Sequence, residues 1–347
     1  MSLIELLHPQ HKIISIVGMA KNSGKTVTLN KIIEEAIENS ITLGLTSTGR
    51  DGESQDIVTK TEKPSIYVEE GTLIATATET LELGDAKIEI LDITDYNTPL
   101  GKIVIGKVKE RGYIQLAGPQ TNKGIRTVAE IMLNLGAQLV LIDGAINRIA
   151  SASPSVSEGV VLATGAVLSR DMNKVIEETI HTINLFQLPE VKDPRAKALI
   201  EELIEEGKTA IIDDQYNISR LNIKTALNSG TTIAQSITDD STYVVLSGSL
   251  VKKTIEDIIG TTNKYKDVKF IVNDGTKVFI EPREWLIYKS KGLDVQVLES
   301  VNVVLVTINP YSPEGYYFDQ GQFLLKMKEY LRDTIVLDLM HNGGGLM

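Results

Sequence analysis

The stretch Gly18-Met19-Ala20-Lys21-Asn22-Ser23-Gly24-Lys25-Thr26 carries the most specific chemistry in the 347-residue chain. Its last eight residues fit G-x-x-x-x-G-K-[ST], except that Met19 holds the place of the first glycine and Gly18 lies one position earlier. Such a loop holds phosphate for physical reasons. It turns several backbone N–H groups towards one anion, and a glycine at position 24 lets the backbone approach closely. The helix expected from about Gly24 places its positive end on the same anion. Lys21, Asn22, Ser23, Gly24, Lys25, Thr26 and Val27 are therefore the expected nucleotide-lining residues. Lys25 is the catalytic cation for the β- and γ-phosphates, and the Thr26 hydroxyl is a ligand for Mg²⁺.

A magnesium site on such a loop needs an acidic residue at the end of a neighbouring strand. Asp143, which closes the apolar run Leu139-Val140-Leu141-Ile142, fits that place and is the second expected catalytic residue. A third part is expected in TSTGRDGESQD, residues 46–56, after a second strand. Asp51 and Asp56 there are candidates for the metal or for positioning water, and Arg50 for phosphate. GPQTNKGIR, residues 118–126, supplies Lys123 and Arg126 as candidate contacts to a second anionic substrate. INPYSPEGYYFD, residues 308–319, could meet a nucleotide base or a partner. SGS at 247–249 reads as another anion-binding helix start or a plain serine cap.

The elements that must position these residues follow from periodicity. IISIVG, residues 13–18, is a short β-branched run. Leu29, Ile32, Ile33, Ala36 and Ile37 then fall on one helical face. ITLGLT at 41–46 is a second strand, so the chain opens as a βαβ unit and a parallel sheet is expected. Residues 64–118 break into short strands separated by Gly, Asp and Pro, which reads as a β-rich insertion into, or extension of, that sheet. A helix near 124–135, the strand LVLID and the strand at 159–169 follow, and Asp171 is placed to cap the next helix. QLPEVKDPRAK, residues 187–197, is the expected boundary. It divides the chain into 1–190, the nucleotide-binding domain, and 191–347, a second α/β domain. Strands are expected in that second part at 209–213, 243–247, 270–272, 301–308 and 334–339. Helices are expected there at 195–206, 219–228, 249–259 and 321–331.

Composition removes other classes. The net charge of −11 argues against a nonspecific nucleic-acid or anionic-membrane binder, which needs a basic face. The absence of cysteine excludes disulfide frameworks, thiolate metal sites and cysteine nucleophiles. His8, His11, His181 and His341 show no metal-ligand spacing, and no G-x-S-x-G elbow is present. The N-terminus has neither a basic region nor a long apolar core, and no run reaches 18 apolar residues. A cytoplasmic protein without a membrane span is expected.

AKNSGKT resembles the phosphate loop of the molybdopterin-guanine-dinucleotide accessory GTPases, and the order of loop, TSTGRDGESQD and LIDGA resembles dethiobiotin synthetase. Both belong to the SIMIBI branch of P-loop (Walker A) NTPases, and the likeness spans roughly residues 12–170. It implies a three-layer P-loop NTPase domain with a mostly parallel sheet and the β-rich insertion, beside the second α/β domain. It implies Lys25 on phosphate, Thr26 on Mg²⁺, either Asp51 or Asp56 after the second strand, and Asp143 on the third. Homodimers are frequent in the branch. Lys21 stands one position away from the signature lysine of the MinD-like subgroup and is not given that role. GMAKNSGKTVTLN, TSTGRDGE and LIDGAINR further resemble the ATPase subunits of lysine 5,6-aminomutase reactivases. That likeness implies a MutS-like ATPase subunit as partner, acting with it on an adenosylcobalamin-dependent aminomutase. The leading expectation is an accessory or reactivating NTPase that binds and hydrolyses ATP or GTP with Mg²⁺. Lack of an N-K-x-D motif favours ATP. A small-molecule ligase or kinase like dethiobiotin synthetase, and a nucleotide-sensing module without turnover, are the alternatives.

Overall fold

The computed structural model describes residues 2–48, 66–144, 149–223, 225–226 and 229–339. Its helices and strands form two compact units, 1–179 with 302–347, and 180–301.

In the first unit a short helix α1 (Leu3–Leu7) precedes strand β1 (Ile13–Gly18), helix α2 (Lys25–Glu38) and strand β2 (Leu43–Ser47). Next come β3 (Ile66–Val68), β4 (Leu73–Ala77), β5 (Lys87–Thr98), β6 (Gly101–Glu110) and β7 (Gly112–Ile114). Helix α3 (Asn122–Asn134), β8 (Leu139–Asp143), β9 (Gly159–Gly165) and helix α4 (Met172–Phe186) complete this stretch. The expected βαβ opening is present, with β8 between β1 and β2 and parallel to both. The β-rich segment extends the sheet: β4 is parallel to β2, and β6 and β5 follow antiparallel. Strands β3 and β7 pair separately as a two-stranded ribbon.

Strand β1 is buried along its whole length because both of its faces are covered. Ile14 and Ile16 pack with Leu29, Ile32, Ile33 and Ala36 of α2. Ile13 packs in a different cluster, with Val140, Ile142 and Ile125, Val128, Ala129 and Met132 of α3. The alternation of strand side chains thus assigns the two helices to opposite faces. Asp171 caps α4 as expected, accepting the Asn173 N–H at 2.9 Å.

The second unit contains helix α5 (Pro194–Glu205), β10 (Ala210–Asp213), β11 (Ile218–Arg220), helix α6 (Gly230–Ser236) and β12 (Ser241–Val245). It continues through β13 (Leu250–Val251), helix α7 (Lys252–Thr261), β14 (Lys269–Val272), β15 (Val278–Phe279), helix α8 (Pro282–Ser290) and β16 (Asp294–Val297). Its five-stranded sheet has the order β11-β10-β12-β14-β16, with β12, β14 and β16 parallel. The expected helix at 219–228 does not start where proposed. Residues 218–220 are instead the return strand of a hairpin, bonded to β10, and α6 begins only at Gly230.

The chain then returns to the first unit through β17 (Val303–Asn309), helix α9 (Gln320–Tyr330) and β18 (Ile335–Asp338). A single cut near residue 190 therefore does not describe these units. Strands expected at 301–308 and 334–339 in a second domain join the first sheet beside β9, in the order β18-β17-β9-β1-β8-β2-β4-β6-β5. The reason is that β9 is buried along its whole length: its backbone N–H and C=O groups need a strand on each side, β1 supplies one and β17 the other. The fold is mixed α/β with a large, mostly parallel sheet. No helix among the described residues is long and apolar enough to cross a membrane.

Candidate functional site at the carboxyl end of the large sheet

Three adjacent parallel strands, β8, β1 and β9, end at one edge of the nine-stranded sheet, and the loop after β1 runs along it. The Met19 N–H continues the β9 pairing by donating to the Ala163 carbonyl at 2.9 Å. Met19 is not among the residues with positive φ, so the departure from the glycine pattern at this position costs no backbone strain. The steric demand falls on Gly18 instead. A Cβ there would lie 2.6 Å from Ser23 Oγ and 3.2 Å from the Ala20 carbonyl oxygen.

The loop then turns through two left-handed residues, Asn22 at φ 64° and Gly24 at φ 98°. Gly24 is the N-cap of α2 and supplies no side-chain oxygen, so the first amides of that helix have no side-chain cap. Between the two left-handed residues sits Ser23, 1% exposed, whose Oγ is buried without a hydrogen-bond partner. Alternating left- and right-handed residues aim successive N–H groups at one point, the geometry that binds anions. A buried hydroxyl without a partner is costly unless a ligand completes it.

Lys25 is the first residue of α2. Its Nζ lies 2.6 Å from Asp143 Oδ1 and donates also to the Gly144 carbonyl oxygen. The two side chains are 16% and 28% exposed, so the pair stands at the mouth of the site rather than in the core. Asp143 reaches it because β8 neighbours β1 in parallel, with Ile16 opposite Asp143. Thr26 and Lys21 are partly buried, while Asn22 and Val27 are exposed. The structure therefore brings Lys21 to Val27 and Asp143 together. Asp51 and Asp56, with Arg50, lie outside the described residues. The root of their loop is described: Ser47 stands opposite Asp143 in the β2–β8 register, and the Thr48 N–H donates to the Asp143 carbonyl at 3.0 Å.

Other expected contributors are engaged elsewhere. Arg126 donates through Nε to Glu130 at 2.7 Å and lies 3.8 Å from Glu158. Glu158 also accepts the Lys12 N–H, at the opposite, amino end of β1. Arg126 is thus a structural cation of α3. SGS at 247–249 does not cap a helix through serine, since the N-cap of α7 is Val251 without a side-chain bond.

Thr307 escaped the sequence reading, and Asn309 entered it only as part of the stretch 308–319, without its role in the loop. Thr28 Oγ1 lies 2.8 Å from Thr307 Oγ1, and Asn309 Nδ2 donates to the Asn22 carbonyl at 3.1 Å. A signal for them existed: Thr307 and Asn309 are polar at alternate positions of an otherwise apolar buried strand, so they share one face.

No protein-family model and no curated protein matches the chain.

Proposed function

We propose that the first unit is a three-layer P-loop NTPase domain that binds and hydrolyses a nucleoside triphosphate, ATP by preference over GTP, with Mg²⁺. The observation that supports this most is the loop after β1: two left-handed residues flank a buried, unpartnered Ser23 hydroxyl, with Lys25 beside Asp143. Ser15 and Ser157 are buried without a partner too, but of these three serines only Ser23 stands in the loop beside Lys25, where an anion would complete it.

The donor set fits the ligands. In the proposed complex the amides from Asn22 to Thr26 and the Ser23 hydroxyl bind phosphate oxygens. Lys25 moves from Asp143 to the β- and γ-phosphates and stabilises charge as the terminal phosphoryl group transfers to water. Thr26 and Asp143 would hold Mg²⁺, directly or through water, with phosphate oxygens completing its shell. Bound there, the ion would neutralise charge that develops on the phosphates.

The accessory role is proposed from the resemblance of GMAKNSGKTVTLN, TSTGRDGE and LIDGAINR to reactivase ATPase subunits. By that reading turnover serves a protein partner, such as a MutS-like ATPase acting on an adenosylcobalamin-dependent aminomutase. Phosphate release measured with ATP and with GTP, each with and without Mg²⁺, tests the activity. Release that requires Mg²⁺ and vanishes in Lys25→Ala is expected. Release of equal rate in Lys25→Ala contradicts the site. Stimulation by a protein fraction rather than by a metabolite separates the accessory role from a small-molecule ligase.

A further inference from the structure

Asn309 ends β17, and its side chain is tied at both ends. Its Nδ2 donates to the Asn22 carbonyl at 3.1 Å, and its Oδ1 accepts the Tyr311 N–H at 3.1 Å. One partner can only accept and the other can only donate, so the orientation of the amide is forced. Asn309 is 9% exposed, which keeps water from competing for either bond.

The residue it holds is left-handed. Asn22 sits at φ 64°, a conformation that asparagine adopts more readily than other residues with a Cβ but that it does not hold without support. The other left-handed residue lies beside Asn309: a Cβ built on Gly24 would meet Asn309 Cβ at 3.2 Å, so only glycine leaves room there. Two residues earlier on the same strand face, Thr307 is bonded to Thr28, in the first turn of α2. Strand β17 is not adjacent to β1 in the sheet, since β9 lies between them. It nevertheless touches the loop after β1 at Asn22 and Gly24, and α2 at Thr28.

We propose that Asn309 is a positioning residue for the phosphate loop. It fixes Asn22 and Gly24 in their left-handed conformations before an anion arrives, so that the ordering of the loop is not charged against binding. This rests on the phosphate-loop reading above.

The test compares wild type, Asn309→Ala, Asn309→Asp and Lys25→Ala, measuring melting temperature, nucleoside triphosphate affinity, KM and kcat. Aspartate keeps the shape and the acceptor for Tyr311 but loses the donor to Asn22. Alanine loses both without adding charge, which separates loss of the brace from repulsion of phosphate. Both Asn309 variants are expected to melt close to wild type. Their Kd and KM should rise about tenfold, the worth of one such hydrogen bond. At saturating nucleotide, kcat should stay within about twofold. A folded Asn309→Asp protein with wild-type affinity overturns the proposal, because a turn-capping role alone would survive that change. Should Asn309→Ala fail to fold, Asn309→Leu, near-isosteric, uncharged and without the amide donor, takes its place, with the same expected loss of affinity. If wild type binds no nucleoside triphosphate, or Lys25→Ala binds as well as wild type, the phosphate-loop reading itself falls and this proposal with it. If Lys25→Ala loses binding while both Asn309 variants keep it, only the brace is refuted.

Discussion

The two units each contain parallel strands joined by helices, and their carboxyl edges are finished differently. In the second unit the loop after β14 carries Asp274, fully buried. Its Oδ1 accepts from the N–H and the hydroxyl of Thr276 at 2.9 and 2.5 Å, and its Oδ2 from Asn273 at 2.8 Å. Lys252 and Lys253, at the start of α7, are paired with Glu284 and Asp257. At the edge of the first unit Ser23 Oγ is left without a partner, the cap of α2 is a glycine, and Lys25 is held by a partly exposed carboxylate. Parallel strands with helical crossovers do not make a site by themselves. Both edges start a helix without a side-chain cap, α2 after Gly24 and α7 after Val251; the difference lies in the unpartnered Ser23 hydroxyl beside Lys25.

Four substitutions probe this contrast. The largest effect is expected from Lys25→Ala, which should reduce Mg²⁺-dependent phosphate release by roughly a hundredfold or more, as removal of one preorganised charge donor does in other enzymes. Steady-state kinetics reads it. In the second unit, Asp274→Ala should cost about 1–3 kcal/mol of stability, since it leaves the Thr276 donors buried and unpaired. Denaturant unfolding measures that cost, and nucleotide affinity should not change. A loss of affinity there would erase the distinction between the two edges.

Asp143→Asn gives a signed test of the ion pair at the site. Without Mg²⁺ the variant should bind nucleotide about threefold more tightly than wild type, because Lys25 is released from a carboxylate partner. With Mg²⁺ it should turn over more slowly. Equal or weaker Mg²⁺-free binding would show that the pair does not oppose the ligand.

The smallest effect concerns pH. The Glu190 carboxyl is held below the usual range, first by the Ser300 backbone N–H and then by Lys197 and the Ser300 hydroxyl. A carboxylate lowered on folding contributes stability above its unfolded-state value, and this is lost as pH falls through the folded-state value. Glu190→Gln should therefore destabilise the protein modestly near neutrality and reduce the drop in melting temperature on acidification. Because the group is two-fifths exposed, the difference should be small.

Much of the site was legible in sequence because its parts are local. A β-branched run, a glycine–lysine–threonine turn and a helical apolar face are contiguous, so spacing alone assembles them. Asp143 was legible because a short, fully apolar run is a strand buried on both faces, and the acid that closes it marks where the strand leaves the core. The membership of β17 and β18 was not. An apolar strand such as VVLVTIN fits the middle of any buried sheet, and nothing in its own residues names its neighbour. The stretch 308–319 was marked, but the bond from Asn309 to Asn22 was hidden for the same reason, since the two lie 287 positions apart. The segment 64–118 was readable as strands that enter or extend the sheet, but not which three extend it and which two form a ribbon, since register depends on long-range pairing.

The most direct test is a titration of the whole protein with Mg²⁺ and ATP, followed by melting temperature, for wild type and Lys25→Ala. A ligand that binds only the folded state stabilises it in proportion to the logarithm of its concentration above Kd. A nucleotide site built on Lys25 requires a melting temperature that climbs with ATP in wild type and stays flat in the variant. Flat curves for both proteins, or curves that climb together, would overturn that assignment.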